Sequence, residues 1–296
     1  MLPLLQDTEG RIFMSKIKDA FKNGKAFIPF VTAGDPDLET TEKLLIGMSE
    51  NGADIIEIGI PFSDPIAEGV VIQEADLRSL AAGTTTDKIF DMVKRIRPQI
   101  KAALAVMTYM NPIFVYGTDA FMAKCAECGI SAVIVPDVPF EEKAELQPYC
   151  DKHGVELVSL IAPTSHDRIK TIAKEAQGFV YCVSSMGVTG VRKEITTNIG
   201  EMVDLVRSVS DTPCAVGFGI STPEQAKHMS QYADGVIVGS AIVKIVAKYG
   251  KECVEPVCKY VKQMKEAAGK YDVSINEYFV IVFIYSIYVE YLKRMK

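Results

Sequence analysis

The stretch DIIEIGIPFSDPIAEGVVIQ, residues 54 to 73, opens on Asp54 and then carries three more carboxylates in unequal surroundings. Glu57 interrupts a run of isoleucines that reads as a short buried strand, bounded by Asn51-Gly52 upstream and by Gly59 and Pro61 downstream. A carboxylate there must be paired, neutral or functional, because burying an unpaired charge is costly. Asp64 and Glu68 follow on the segment PFSDPIAEG, between two prolines and a glycine. One fixed acid and two acids on a loop are suited to general acid–base chemistry. Blander roles stand beside this one: Glu57 as an ion-paired strand residue, Asp64 as part of a Ser-Asp-Pro turn, Glu68 as a solvated loop acid.

The elements that would position these acids repeat along the whole chain. Apolar runs of β type start near Phe27, Asp54, Ala102, Ser131, Glu156, Gly178, Pro213 and Asp234, each followed by a stretch of helical period. Eight strand-then-helix units predict a closed parallel sheet, the (β/α)8 TIM barrel, as a single domain. Helices are expected over Asp37 to Asn51, Asp87 to Arg97, Asp119 to Cys128 and Glu141 to His153, with a capped start at Thr222-Pro223-Glu224. A further helix, Ser15 to Asn23, would plug the barrel bottom. Strand starts are spaced by about 20 to 30 residues, the length of an ordinary βα unit. Two spacings are longer: 48 residues after the second strand and 35 after the sixth. Loops after barrel strands emerge at the face where active sites are built, so the surplus reads as lids.

Composition narrows the chemistry. The chain has 296 residues, 48% of them apolar, and a formal net charge of −6 without a basic cluster, which disfavours nucleic acid and anionic membranes as partners. Seven scattered cysteines argue against a disulfide framework and for a reducing, cytoplasmic setting. Cys125-Ala-Glu-Cys128 falls at the end of a predicted helix, where packing is the better reading than redox chemistry. The three histidines, His153, His166 and His228, are far apart, so neither a metal site nor a histidine triad is expected. No lysine falls at a strand end, which disfavours a Schiff-base aldolase.

The last units look like an anion cradle. Gly217-Phe-Gly219-Ile-Ser221 follows the seventh strand, and Gly239-Ser240 opens a helix after the eighth. Glycines allow close backbone approach, and the first N–H groups of a helix are free to bind an anion. A third glycine loop, Ser185-Met-Gly187-Val-Thr189-Gly190, could close over the same phosphate.

Seven motifs in order then carry a resemblance over residues 14 to about 268: PFVTAGDP (29–36), IIEIGIPFSDPIAEG (55–69), MTYMNPI (107–113), PDVPFEE (136–142), SSMGVTGVR (184–192), GFGIST (217–222) and VGSAIVK (238–244). Together they resemble the tryptophan synthase α subunit family. The resemblance implies a lyase that splits indole-3-glycerol phosphate into indole and glyceraldehyde 3-phosphate by a retro-aldol reaction with no cofactor. It implies Glu57 as the acid–base group, Glu68 as the carboxylate that stabilises the indole N–H, and Tyr181 as the tyrosine beside the catalytic glutamate. Phe30, Ile72, Tyr109 and Phe218 suit the indole pocket. Thr189 would link the two mobile loops, and Gly190, Gly219, Gly239 and Ser240 would hold the phosphate. Pro61, Asp64, Tyr109, Asn111 and Asp137 would face a β subunit in an α2β2 assembly, pyridoxal phosphate belonging to that partner only.

One departure stands out. The family usually has aspartate where this chain has Glu68, and proline where it has Val70. The extra methylene moves a carboxylate by about 1.5 Å, so either the loop backs off or substrate fit differs. A free-standing lyase and a barrel that binds without cleaving remain as alternatives. Residues 1 to 13 read as an N-terminal extension. The tail 269–296 carries an apolar run of twelve, YFVIVFIYSIYV (278–289), too short for a membrane span of roughly 20 residues.

Overall fold

The computed structural model describes residues 16–183, 195–217 and 219–269. Eight parallel strands close into a barrel in sequence order: β1 (Ala26–Thr32), β2 (Ile55–Gly59), β3 (Ala103–Met107), β4 (Ala132–Ile134), β5 (Glu156–Ile161), β6 (Gln177–Val183), β7 (Cys214–Gly217) and β8 (Gly235–Val238). Pairing of Ala26 with Gly235 begins the β1–β8 register that seals it. Every expected strand start falls within one residue of an observed one. Apolar runs bounded by turn residues have few other solutions when both faces of the sheet are covered.

The helices between them are α1 (Lys16–Asp19), α2 (Leu38–Glu50), α3 (Val70–Ala81), α4 (Thr86–Ile96), α5 (Met110–Tyr116), α6 (Thr118–Glu127), α7 (Gln147–His153), α8 (His166–Lys174), α9 (Ile195–Arg207), α10 (Pro223–Met229), α11 (Ser240–Tyr249) and α12 (Val254–Ala268). Asp37 caps α2 by accepting the Thr40 N–H at 2.7 Å, and Thr222 with Gln225 forms a capping box on α10. Three expectations change. The bottom plug is shorter than Ser15 to Asn23: α1 gives way to a turn before Gly24, whose φ of +116° favours glycine. Ile17 is nevertheless fully buried, and the Phe21 ring lies 5.9 Å from that of Phe179. The stretch Glu141 to His153 is split, because Pro148 suits only a first helical turn: a 3-10 segment (Phe140–Glu145) precedes α7. The surplus after β2 is an extra helix, α3, rather than one long lid.

Strand alternation sorts the core into two layers. Ile28, Ile55, Ala105, Ile134, Phe179 and Ala215 fill the barrel interior, whereas Phe27, Ile56, Ile58, Leu104, Val106 and Val236 pack outward under the helices. Glu57 is two residues beyond Ile55, Phe30 two beyond Ile28 and Tyr181 two beyond Phe179. All three therefore point inward, near the C-terminal end of their strands.

Candidate active site

Glu57 sits in β2 between Phe30 of β1 and Ala105 of β3, and only 1% of it is exposed. Neither carboxyl oxygen has a hydrogen-bond partner among the described residues. Burial, and secondarily the charge of Glu68, push its pKa well above the ordinary 4.5. Burial therefore favours its neutral form, an acid able to give a proton.

Glu68 ends the loop that follows β2, immediately before Gly69 caps α3. Its backbone is fixed by the Gln73 side-chain amide, which donates to the Glu68 carbonyl at 2.7 Å. Burial raises its pKa, while a hydrogen bond from the Tyr109 hydroxyl pulls the other way. The two glutamates thus occupy different electrostatic settings, with Glu57 the stronger candidate for holding a proton.

The two tyrosines bracket them. Tyr109, at the start of α5, is 4% exposed, and its hydroxyl accepts the Ala67 N–H at 3.0 Å. Tyr109, expected both at the indole pocket and facing the partner, is held by the bond to the loop and by a ring contact with Phe62 at 5.5 Å. Tyr181, on β6, has its phenol pushed well up by burial and by the charges of Glu57 and Glu68, so it stays protonated. Gly217 on the neighbouring strand makes room for it: a Cβ there would lie 2.6 Å from the Tyr181 hydroxyl. Gly59 does the same for Phe30, whose ring would meet a Cβ at 2.5 Å. Phe30, Ile72, Ala75 and Val243 form a buried apolar wall beside the acids, with Val71 and Met107 packed against it.

A third buried acid belongs to this cluster, and reading the sequence for motifs missed it. Asp76, on α3, is 5% exposed, and the Thr32 hydroxyl donates to its Oδ1 at 3.4 Å. Burial and the charge of Glu68 raise its pKa to about 7. The signal was present as helical spacing, since Ile72, Asp76 and Ser79 share the buried face of α3. On the same helix, Arg78 makes a two-pronged ion pair with buried Asp35 at 2.8 Å, and Ser79 donates to the Ala33 carbonyl at 2.6 Å. Three side chains of α3 thereby clamp it to the end of β1 and the loop beyond.

Other expected residues separate by place. Gly219 adopts φ +77° with no atom of the other described residues within 4 Å of a Cβ placed there, and Gly239 opens α11, with exposed Ser240 in the first turn, where helix geometry leaves N–H groups unpaired. Pro61 is buried; Asp64 and Asn111 are exposed. Asp137 accepts the Met110 N–H at 3.0 Å and so caps α5. Thr189, Gly190 and Phe218 lie outside the described residues. Cys125 and Cys128 are buried packing residues, with burial raising both thiols, Cys128 to about 11.

A barrel with this acid pair at the mouth and glycines after β7 and β8 matches one family model, described as tryptophan synthase alpha chain, over residues 16–271. The chain belongs to the tryptophan synthase alpha chain family. It is 46% identical over 266 residues to a tryptophan synthase alpha chain of Lacticaseibacillus casei, covering 90% of this chain and all of that one. Among solved structures it is similar to tryptophan synthase of Mycobacterium tuberculosis (TM-score 0.79, 32% identity, 87% of this chain and 99% of that one). The tryptophan synthase alpha subunit of Legionella pneumophila is comparably close (TM-score 0.78, 34% identity, 86% and 98%). As a tryptophan synthase alpha chain it is a lyase of tryptophan biosynthesis that cleaves indole-3-glycerol phosphate and works with a beta subunit. In this family pyridoxal phosphate belongs to the beta subunit.

Proposed function

We propose that Glu57 is the acid–base catalyst of the cleavage and Glu68 the carboxylate that stabilises the indole ring while it is protonated. Indole is a poor carbanion leaving group, so its C3 must gain a proton before the bond to the glycerol carbon breaks. Neutral Glu57 gives that proton. The resulting carboxylate takes the proton of the adjacent glycerol hydroxyl as the C–C bond opens, forming the aldehyde of glyceraldehyde 3-phosphate. Protonated C3 leaves positive charge on the ring N–H, which ionised Glu68 accepts. Tyr181 stays a neutral donor beside Glu57. Phe30 and Ile72, with Phe218, hold the indole face, the N–H groups around Gly219, Gly239 and Ser240, with Gly190, hold the phosphate end, and Thr189 links the two loops.

The observation that carries this reading is a fully buried, unpartnered carboxyl at Glu57 beside a second acid in a less protonating setting. Residues 14–268 form the catalytic unit, in an αββα assembly with the beta subunit. The unpaired cysteines suit a cytoplasmic protein. The test is Glu68→Gln, which keeps a hydrogen-bonding amide and removes the charge. Steady-state indole release should show kcat lower by about 10²- to 10³-fold with KM little changed. A kcat within threefold of wild type would overturn the role of Glu68.

A further inference from the structure

We propose that Asp76 is a positioning residue for Glu68: from α3 it holds the near end of the catalytic loop at Phe62, and Phe62 in turn braces the tyrosine that holds the far end. The inference rests on the role given to Glu68 above. Its basis is a continuous chain of contacts. The Asp76 carboxyl is buried and receives the Thr32 hydroxyl from the end of β1 at 3.4 Å. The backbone N–H of Phe62, the second residue of the Pro61–Glu68 segment, acts on the same carboxyl and lowers its pKa. The Phe62 ring lies 5.5 Å from that of Tyr109. The Tyr109 hydroxyl accepts the Ala67 N–H at 3.0 Å and bonds to the Glu68 carboxyl.

The segment between these anchors is otherwise loosely held: Ser63, Asp64, Ile66 and Ala67 are exposed. Two side chains from outside the loop, one at each end, therefore join the Gln73 amide in setting where its last residue points. Asp76 can do this because Arg78 and Ser79, just beyond it on the same helix, fasten α3 to Asp35 and Ala33. The extra methylene of Glu68 makes such bracing consequential, since a longer side chain reaches the same point only from a correctly placed backbone.

The prediction separates position from charge. Asp76→Asn retains an acceptor of the same shape for Phe62 and Thr32, so kcat for indole release should stay within about threefold of wild type. Asp76→Ala removes the anchor and Asp76→Glu displaces it. Each should lower kcat by roughly tenfold or more, with KM for indole-3-glycerol phosphate changing less than about threefold. In the Glu68→Gln background, Asp76→Ala should lower kcat by no more than about twofold further, because the residue it positions has already lost its charge. Glyceraldehyde 3-phosphate binding by calorimetry reports that each variant retains the fold and the phosphate cradle.

Additive losses in the double variant would overturn the proposal, as would an Asp76→Asn loss as large as that of Asp76→Ala. If Asp76→Ala does not fold, the contrast between Asp76→Glu and Asp76→Asn decides alone. A Glu68→Gln enzyme of normal kcat would instead remove the reading of Glu68 itself, and is told apart because that single variant shows it directly.

Discussion

At the scale of the residue, the proposed chemistry turns on keeping Glu57 protonated where neither carboxyl oxygen has a hydrogen-bond partner among the described residues. Two consequences follow from the direction of its shift. First, the proposed roles need Glu57 protonated and Glu68 ionised, so kcat/KM against pH should be bell-shaped, falling at low pH as Glu68 takes a proton and at high pH as Glu57 loses one. A stopped-assay profile of indole release checks this; a rate that climbs steadily into the alkaline range would count against a neutral Glu57. Second, a carboxyl whose folded pKa is raised contributes its stability fully below its ordinary value of 4.5 and loses it as pH rises through the folded pKa. Neutral Glu57→Gln should therefore gain stability relative to wild type as urea unfolding is moved from pH 5 to pH 9. The anomaly at Glu57 was legible in the sequence because an acid breaks an isoleucine run. Asp76 was not, since in QEADLRSL nothing but the unknown direction of the helix face separates it from its solvated neighbours.

At the scale of the element, glycines and one ion pair set the geometry. Gly217→Ala places a methyl 2.6 Å from the Tyr181 hydroxyl. Tyr181 must swing away from Glu57, and kcat should drop by roughly tenfold or more while the barrel stays folded, as far-UV circular dichroism would show. Arg78→Met leaves Asp35, 2% exposed, buried without its partner. Loss of a buried pair of this kind costs about 3 kcal/mol, to be read from the urea midpoint. Strands were legible to within a residue because their signal is local: apolar runs and turn residues. Helix ends were legible where a cap was written in side chains, as at Asp37 and Thr222. The extra helix α3 was hidden, because a surplus of spacing after β2 does not say whether it is loop or helix, and its interrupted apolar pattern gives a weak period.

At the scale of the whole molecule, the barrel separates stability at one end from chemistry at the other. Ile17 and Phe21 close the bottom, and Lys265 of α12 ties the start of β2 through Asp54 at 2.7 Å. At the other end the loop after β2 leaves Ile66, and helix α5 after β3 leaves Phe114 and Val115, at least 70% exposed, the kind of apolar surface that a partner covers. Phe114→Asp should weaken binding of the beta subunit by about 2 kcal/mol or more in a titration while leaving indole release by the isolated chain unchanged. In the sequence, partner-facing segments could be suggested only through resemblance, since exposure depends on how loops pack.

The account rests finally on one group. Single-turnover release of indole from indole-3-glycerol phosphate should be measured for wild type and Glu57→Gln, each with and without the beta subunit. Wild type should cleave the substrate, faster with the partner present. Glu57→Gln should be slower by about 10³-fold in both conditions while still binding glyceraldehyde 3-phosphate. A Glu57→Gln enzyme that cleaves within tenfold of wild type would contradict the assignment of the proton transfers to Glu57.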